Sequence, residues 1–201
     1  MQLIETKTAP NPRRVRIFLF EKGIVVPTEN RDLGSLKSAD FTKINPEQRV
    51  PVLVLDDGTA ICETVAICRY FEEIHPEPAL MGRGATGRAV VEMWQRRVEL
   101  GFFAHVAAAF RHKHSSMAAL EVPQIPEWGE ANKPKALEAL AKFNAQLADT
   151  RFLAGDDYSI ADITLMVAAD FMKPARIARP DGLGHFDRWY AEVSARPSAA
   201  A

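Results

Sequence analysis

Three short stretches carry groups that could hold a small polar ligand and act on it. In I-N-P-E-Q-R-V-P-V-L, Pro51 falls where a strand should begin. A cis Val50–Pro51 bond there would bend the chain and leave the Val50 N–H and C=O able to pair with an extended peptide, as an added strand does. Sequence alone favours the trans form, because cis accounts for only about 5–6% of X–Pro bonds. In C-E-T-V-A-I-C-R-Y, Glu63 and Thr64 stand between a strand and a helix start. Unpaired N–H groups at that helix mouth, with the Thr64 hydroxyl, would hold a carboxylate, and Glu63 would suit an amine. Ordinary first-turn chemistry explains the same pair equally well. In T-A-P-N-P-R-R-V-R, Asn11 and Pro12 read as the cap and first residue of a helix. A cap needs no further function, yet an amide can cap through its oxygen and still donate through its NH2.

Other reactive side chains point to structure. Ser159-Ile160-Ala161-Asp162 has the form of a capping box, with Asp in place of Glu, and Tyr158 could staple onto Ile163. Asp162 is therefore a folding residue and not a catalyst. His112 and His114, two apart, point to different sides and make a poor metal pair, so they read as solvated. His105 reads as a satisfied, half-buried residue that could border a ligand pocket. Cys62 could oxidise and Cys68 belongs in the core; their spacing is not C-x-x-C and gives no disulfide framework. Arg13, Arg14 and Arg16 read mostly as a solvated face whose charge favours an anion nearby.

The elements that must position these groups fall into two sets. Up to about residue 78 the order is β-α-β-α-β-β-α. Leu3-Ile4 starts the first strand, and Val15, Phe18 and Leu19 repeat at helical spacing until Gly23. Ile24–Arg31 reads as an edge strand, since Pro27 cannot donate to a ladder. V-P-V-L-V-L-D-D-G-T-A-I reads as a hairpin, and Thr64–His75 as a helix. H-P-E-P-A-L-M-G-R-G supplies a linker, 79–85. Beyond it every signal is helical: a long stripe from Val91 through Trp94, Val98, Phe102 and Val106 to Phe110, then a helix opened by Asn132. A third helix starts at Ser159 and stops before Pro174, and a fourth carries Phe186, Trp189, Tyr190 and Val193. The terminal A-A-A reads as fraying.

Composition sets the outer bounds. The chain has 201 residues, 47% hydrophobic and 25% charged, with a net charge of −1, which suits a soluble globular protein of two modest domains. That balance gives no general attraction to nucleic acid or anionic membranes. No apolar run reaches the roughly 20 residues of a membrane helix. The N-terminus lacks the pattern of a signal peptide, and a cytoplasmic location is expected.

Taken together, P-N-P-R-R-V-R, N-P-x-x-R-V-P-x-L, E-T-x-A-I and F-L-A-G-D-x-Y-S-I-A-D-I make the sequence resemble the cytosolic glutathione S-transferase family, from Leu3 to about Pro197. The resemblance implies an α/β plus all-α fold: a thioredoxin-like, glutathione-binding domain over 1–78, then an all-helical domain over 86–201. It also implies a homodimer and glutathione as co-substrate, with no metal. Carried over, Val50 before Pro51 would pair with the cysteinyl unit, while Glu63 and Thr64 would hold the ammonium and carboxylate of the γ-glutamyl end. Arg49 stands where the family commonly has Lys and would face the glycyl carboxylate; a solvated loop charge is the alternative. Phe103, Phe110 and Phe171 would border the pocket of an electrophilic, partly apolar second substrate. The sequence departs from the family in one place. T-A-P-N puts Ala9 where many relatives have a Ser or Tyr hydroxyl, which leaves Asn11 or the displaced Thr8 to activate the thiol, with Asn11 preferred. Conjugation is the leading expectation. Glutathione-dependent disulfide or peroxide reduction and a noncatalytic glutathione- or ligand-binding role are the alternatives.

Overall fold

A computed structural model describes all 201 residues, Met1–Ala201. The chain forms two compact units, Met1–Leu80 together with Pro197–Ala201, and Met81–Arg196.

The first unit is built on a four-stranded sheet in the order β2-β1-β3-β4. Its strands are β1 (Gln2–Glu5), β2 (Thr28–Asn30), β3 (Val52–Val54) and β4 (Ala60–Cys62). On the two central strands Leu3, Ile4, Val52 and Leu53 are all at most 2% exposed, so the middle of the sheet is covered on both faces. Helix α1 (Pro10–Glu21) joins β1 to its parallel neighbour β2. It buries Val15, Ile17, Phe18 and Leu19. The β3–β4 hairpin turns at Asp56-Asp57-Gly58, where Gly58 takes φ +87°, a conformation open to glycine at little cost. Two more helices follow in chain order, the short α2 (Ala39–Ile44) and α3 (Thr64–Ile74). The Lys22 ammonium, at the end of α1, pairs with Glu72 at 2.7 Å and donates to the carbonyls of His75 and Pro78, so the two helix ends are tied together.

Three local expectations change. The second strand covers only Thr28–Asn30 of the expected Ile24–Arg31, because Pro27 has no N–H for a ladder. Asn11 and Pro12 are not cap and first residue: Ala9 is the N-cap, Pro10 opens the helix, and no side chain caps it. Pro10 already satisfies the preference for proline at that position, and the first four N–H groups need no intrahelical partner. The terminal residues do not fray. Pro197–Ala200 form a 3-10 turn packed on α1; Ser198 is 1% exposed and donates to Glu21, and Arg13 Nη2 donates to the Ala199 carbonyl at 2.9 Å.

The second unit is helical. The long stripe is α4 (Gly84–Val98) and α5 (Ala104–Arg111), joined by a π-helical turn over Glu99–Phe103. That turn keeps Val98, Phe102 and Val106 fully buried, and such turns shift the face that a long helix presents. Helix α6 starts at Pro126 and runs to Asp149 with Pro134 inside it, so Asn132 does not open it. The Asn132 amide is 2% exposed and is engaged otherwise, donating to the Trp128 carbonyl at 2.7 Å and meeting His105 Nδ1 at 2.6 Å. Helix α7 (Ile160–Phe171) is buried along most of its length, and α8 (Gly184–Ser194) packs Phe186 and Trp189 into the core. The Asp162 carboxylate is fully buried and accepts from Leu153 N, Ser159 N, Ser159 Oγ and Trp189 Nε1. The capping box expected there is present. The linker turns tightly at Gly82, φ +85°, where any Cβ would lie 2.5 Å from the Gly87 carbonyl oxygen.

Candidate functional site

The register of the sheet brings the distant stretches together. β3 pairs antiparallel with β4, Val52 opposite Cys62, and with β1, Val52 opposite Ile4. Continued one or two residues, those ladders set Pro51 and Val50 beside Glu63 and Thr64, and beside the end of β1 that leads into Thr8 and Asn11. The segments that carry Val50, Glu63, Thr64 and Thr8 therefore all adjoin the same end of one sheet. None of their sequence separations shows it.

The Val50–Pro51 bond is cis. Paired residues of β3 begin at Val52, so the Val50 backbone stays outside the ladder. The Asn45 amide donates to the Arg49 carbonyl at 2.9 Å, which anchors the approach to this turn. Arg49 and Glu63 are exposed, while Thr64 is 4% exposed. Glu63 is the N-cap of α3 with φ +70° and ψ +125°. A non-glycine residue in that region is costly, of order 1–3 kcal/mol, and such residues cluster at ligand sites. Its carbonyl accepts from Ile67 N at 3.0 Å. The first N–H groups of α3, from Thr64 to Ala66, therefore face outward at the helix mouth with no intrahelical acceptor.

In the opening loop, Ala9 N donates to the Thr6 carbonyl and Thr8 is exposed. Asn11 is half-buried, and its Oδ1 accepts from Arg14 Nη1 at 3.1 Å. The arginine cluster is less solvated than its sequence suggests. Arg14 is 2% exposed, and Arg16 pairs with the buried Glu5 and donates to the Lys7 carbonyl. Burial, and secondly the Glu63 charge, push the Cys62 thiol above its ordinary range, which makes it a poor nucleophile at neutral pH.

Known proteins match this chain over most of its length. Residues 8–74 match the family described as glutathione S-transferase, N-terminal domain, and residues 101–197 match glutathione S-transferase, C-terminal domain. Glutathione S-transferase 2 of Saccharomyces cerevisiae is 32% identical over 203 residues, covering 98% of this chain and 87% of the yeast protein. The chain belongs to the glutathione S-transferase family. Solved transferase structures agree. A glutathione S-transferase domain-containing protein from Marinobacter aquaeolei VT8 superposes with a TM-score of 0.95 at 39% identity, covering 98% of this chain and 99% of that one. Gtt2 from S. cerevisiae gives 0.95 at 33%, covering 100% and 99%.

In the helical unit of this transferase, Phe103, Phe110 and Phe171 do meet. Phe171 packs against Phe103 with ring centroids 6.2 Å apart and against Phe110 at 4.9 Å. Phe110 also stacks on His114 at 4.6 Å. His112 and His114 are half-buried, and each has a hydrogen-bond partner. His112 Nδ1 accepts from Ile125 N at 3.0 Å, and His114 Nδ1 lies 2.7 Å from Ser116 Oγ, because the loop after α5 folds back over them. No group of three or more His, Cys, Asp or Glu side chains is placed to hold a metal. Sequence reasoning missed the pairing of Asn11 with the buried Arg14. The signal was available in their i, i+3 spacing, which puts both on one helix face.

Proposed function

We propose that this transferase binds glutathione at the common end of its sheet and activates the thiol for attack on an electrophilic, partly apolar second substrate. The observation that supports the reading is the register, Val52 opposite Cys62 and Ile4, which when continued runs the Val50–Pro51 turn toward Glu63 and the start of α3. The Val50 N–H and C=O pair with the cysteinyl backbone as an added strand would. The α3 N–H groups and the Thr64 hydroxyl take the γ-glutamyl carboxylate, Glu63 takes the ammonium, and Arg49 takes the glycyl carboxylate.

A thiol with a pKa near 8.5 is only about 3% ionised at pH 7. With alanine at position 9, no hydroxyl donates from that place, and the Asn11 amide supplies the N–H. A donor to the sulfur favours its charged form and lowers its pKa. The thiolate then forms a C–S bond with the electrophilic carbon, the leaving group departs with its electron pair, and the thiol proton goes to solvent.

The transferase names of the relatives favour conjugation over reduction or a carrier role. Glutathione supplied with an aryl halide, a small disulfide or a hydroperoxide separates the three. Turnover with the aryl halide is expected to dominate; binding without turnover in any of them would leave only a carrier. A cytoplasmic homodimer fits the family. No helix is long and apolar enough to cross a membrane, and Met93 on α4 and Leu100 on the π-helical turn are 39% and 61% exposed, apolar surface that a second copy would cover.

A further inference from the structure

Asn11 is an ambiguous donor, because an amide can turn either its oxygen or its NH2 toward a ligand. The buried residue three positions on removes that ambiguity. Arg14 lies on the same face of α1, is 2% exposed, and reaches Asn11 Oδ1 with Nη1 at 3.1 Å. A guanidinium has five N–H donors and no acceptor. It can therefore hold only the oxygen of the amide, never the NH2.

We infer that Arg14 is a positioning residue for thiol activation: it fixes the Asn11 side chain with Oδ1 inward and Nδ2 toward the ligand. The inference rests on the reading of Asn11 as the thiol donor and adds the device that aims it. A guanidinium suits this task, because a hydrogen bond from a charged donor polarises the amide and makes its N–H a better donor. Arg14 does not touch the sulfur in this scheme, and its effect passes through Asn11 alone.

A double-mutant cycle tests this, read by the thiolate absorbance of bound glutathione as a function of pH. Asn11→Ala is expected to raise the thiol pKa. Arg14→Met, which keeps an unbranched apolar stem but donates nothing, is expected to raise it by about one unit, a tenfold loss of thiolate at low pH. In the Asn11→Ala background Arg14→Met should add nothing, and Arg14→Lys, which can still donate, should recover part of the shift. If Arg14→Met shifts the pKa equally in both backgrounds, Arg14 acts by another route and the inference falls while the role of Asn11 stands. If Asn11→Ala leaves the pKa unchanged, the Asn11 reading itself fails and takes the inference with it. Asn11→Asp covers the case in which Arg14→Met does not fold. It keeps an oxygen for Arg14, removes both N–H donors and adds a negative charge, so the thiol pKa should rise at least as far as in Asn11→Ala while the melting temperature does not fall below the wild-type value. A melting temperature that drops to that of Asn11→Ala, or a thiol pKa unmoved by Asn11→Asp, overturns the pairing.

Discussion

At the residue scale, Ala9 has no side-chain donor, and two neighbours in the opening segment, Thr8 and Asn11, do. They are not equivalent. Thr8 is exposed on the loop, whereas Asn11 is half-buried on α1 and held by Arg14. A donor aimed at one place must be held there, since a free side chain divides its time among rotamers. Asn11→Ala should therefore lower kcat/KM at neutral pH by about tenfold, and Thr8→Ala by much less. Steady-state rates with an aryl halide across pH would check the ranking, and the reverse order would reassign the donor. Thr64→Ala should weaken glutathione binding about tenfold by calorimetry, the cost of one hydrogen bond to a charged group. Unchanged affinity would move the γ-glutamyl site elsewhere. The types of these residues could be read from the chain. The orientation of Asn11 could not, because it depends on a partner that looks like a surface arginine until its burial is known.

At the scale of elements, the strongest signals were those with a local cause. The D-D-G hairpin, the stop of α1 at Gly23 and the capping box at Ser159–Asp162 are set by neighbouring residues and stand as read. The start of α6 was misplaced by six residues, from Asn132 to Pro126, because Asn132 satisfies its amide in the core, a tertiary choice. The π-helical turn at Glu99–Phe103 leaves no mark in the apolar stripe, which continues through it. Asp162 shows what local chemistry contributes to the whole unit. Its carboxylate collects donors from the loop before α7, from the cap and from Trp189 on α8. Burial raises its pKa while those donors oppose the rise. Removing the oxygens strands every donor in an apolar core. Asp162→Ala should cost about 3–5 kcal/mol, measured by urea unfolding; a cost below about 1 kcal/mol would show that the network carries little.

At the scale of the molecule, the two-part organisation was legible from the change in periodicity near the Pro- and Gly-rich linker. The last residues were not. Pro197–Ala201 group with the first unit, against the helix that carries Asn11, through Ser198–Glu21 and Arg13–Ala199. Three alanines carry no pattern that announces such a seat. Deleting residues 197–201 should lower stability by about 1–2 kcal/mol through the lost hydrogen bonds and the exposed flank of α1, visible as a lower melting temperature. If the exposed Met93 and Leu100 form a subunit contact, Leu100→Glu should halve the sedimenting mass, and a monomeric wild type would remove the dimer from the account.

The central claim is that one end of the sheet both grips glutathione and lowers the pKa of its thiol without a hydroxyl or a cysteine of the protein. The most direct measurement is the ultraviolet titration of the thiolate of glutathione bound to the wild-type protein. The account predicts saturable binding and a midpoint at least one unit below the free thiol value of about 8.5. No binding at millimolar glutathione, or a bound thiol that titrates like the free one, would contradict it.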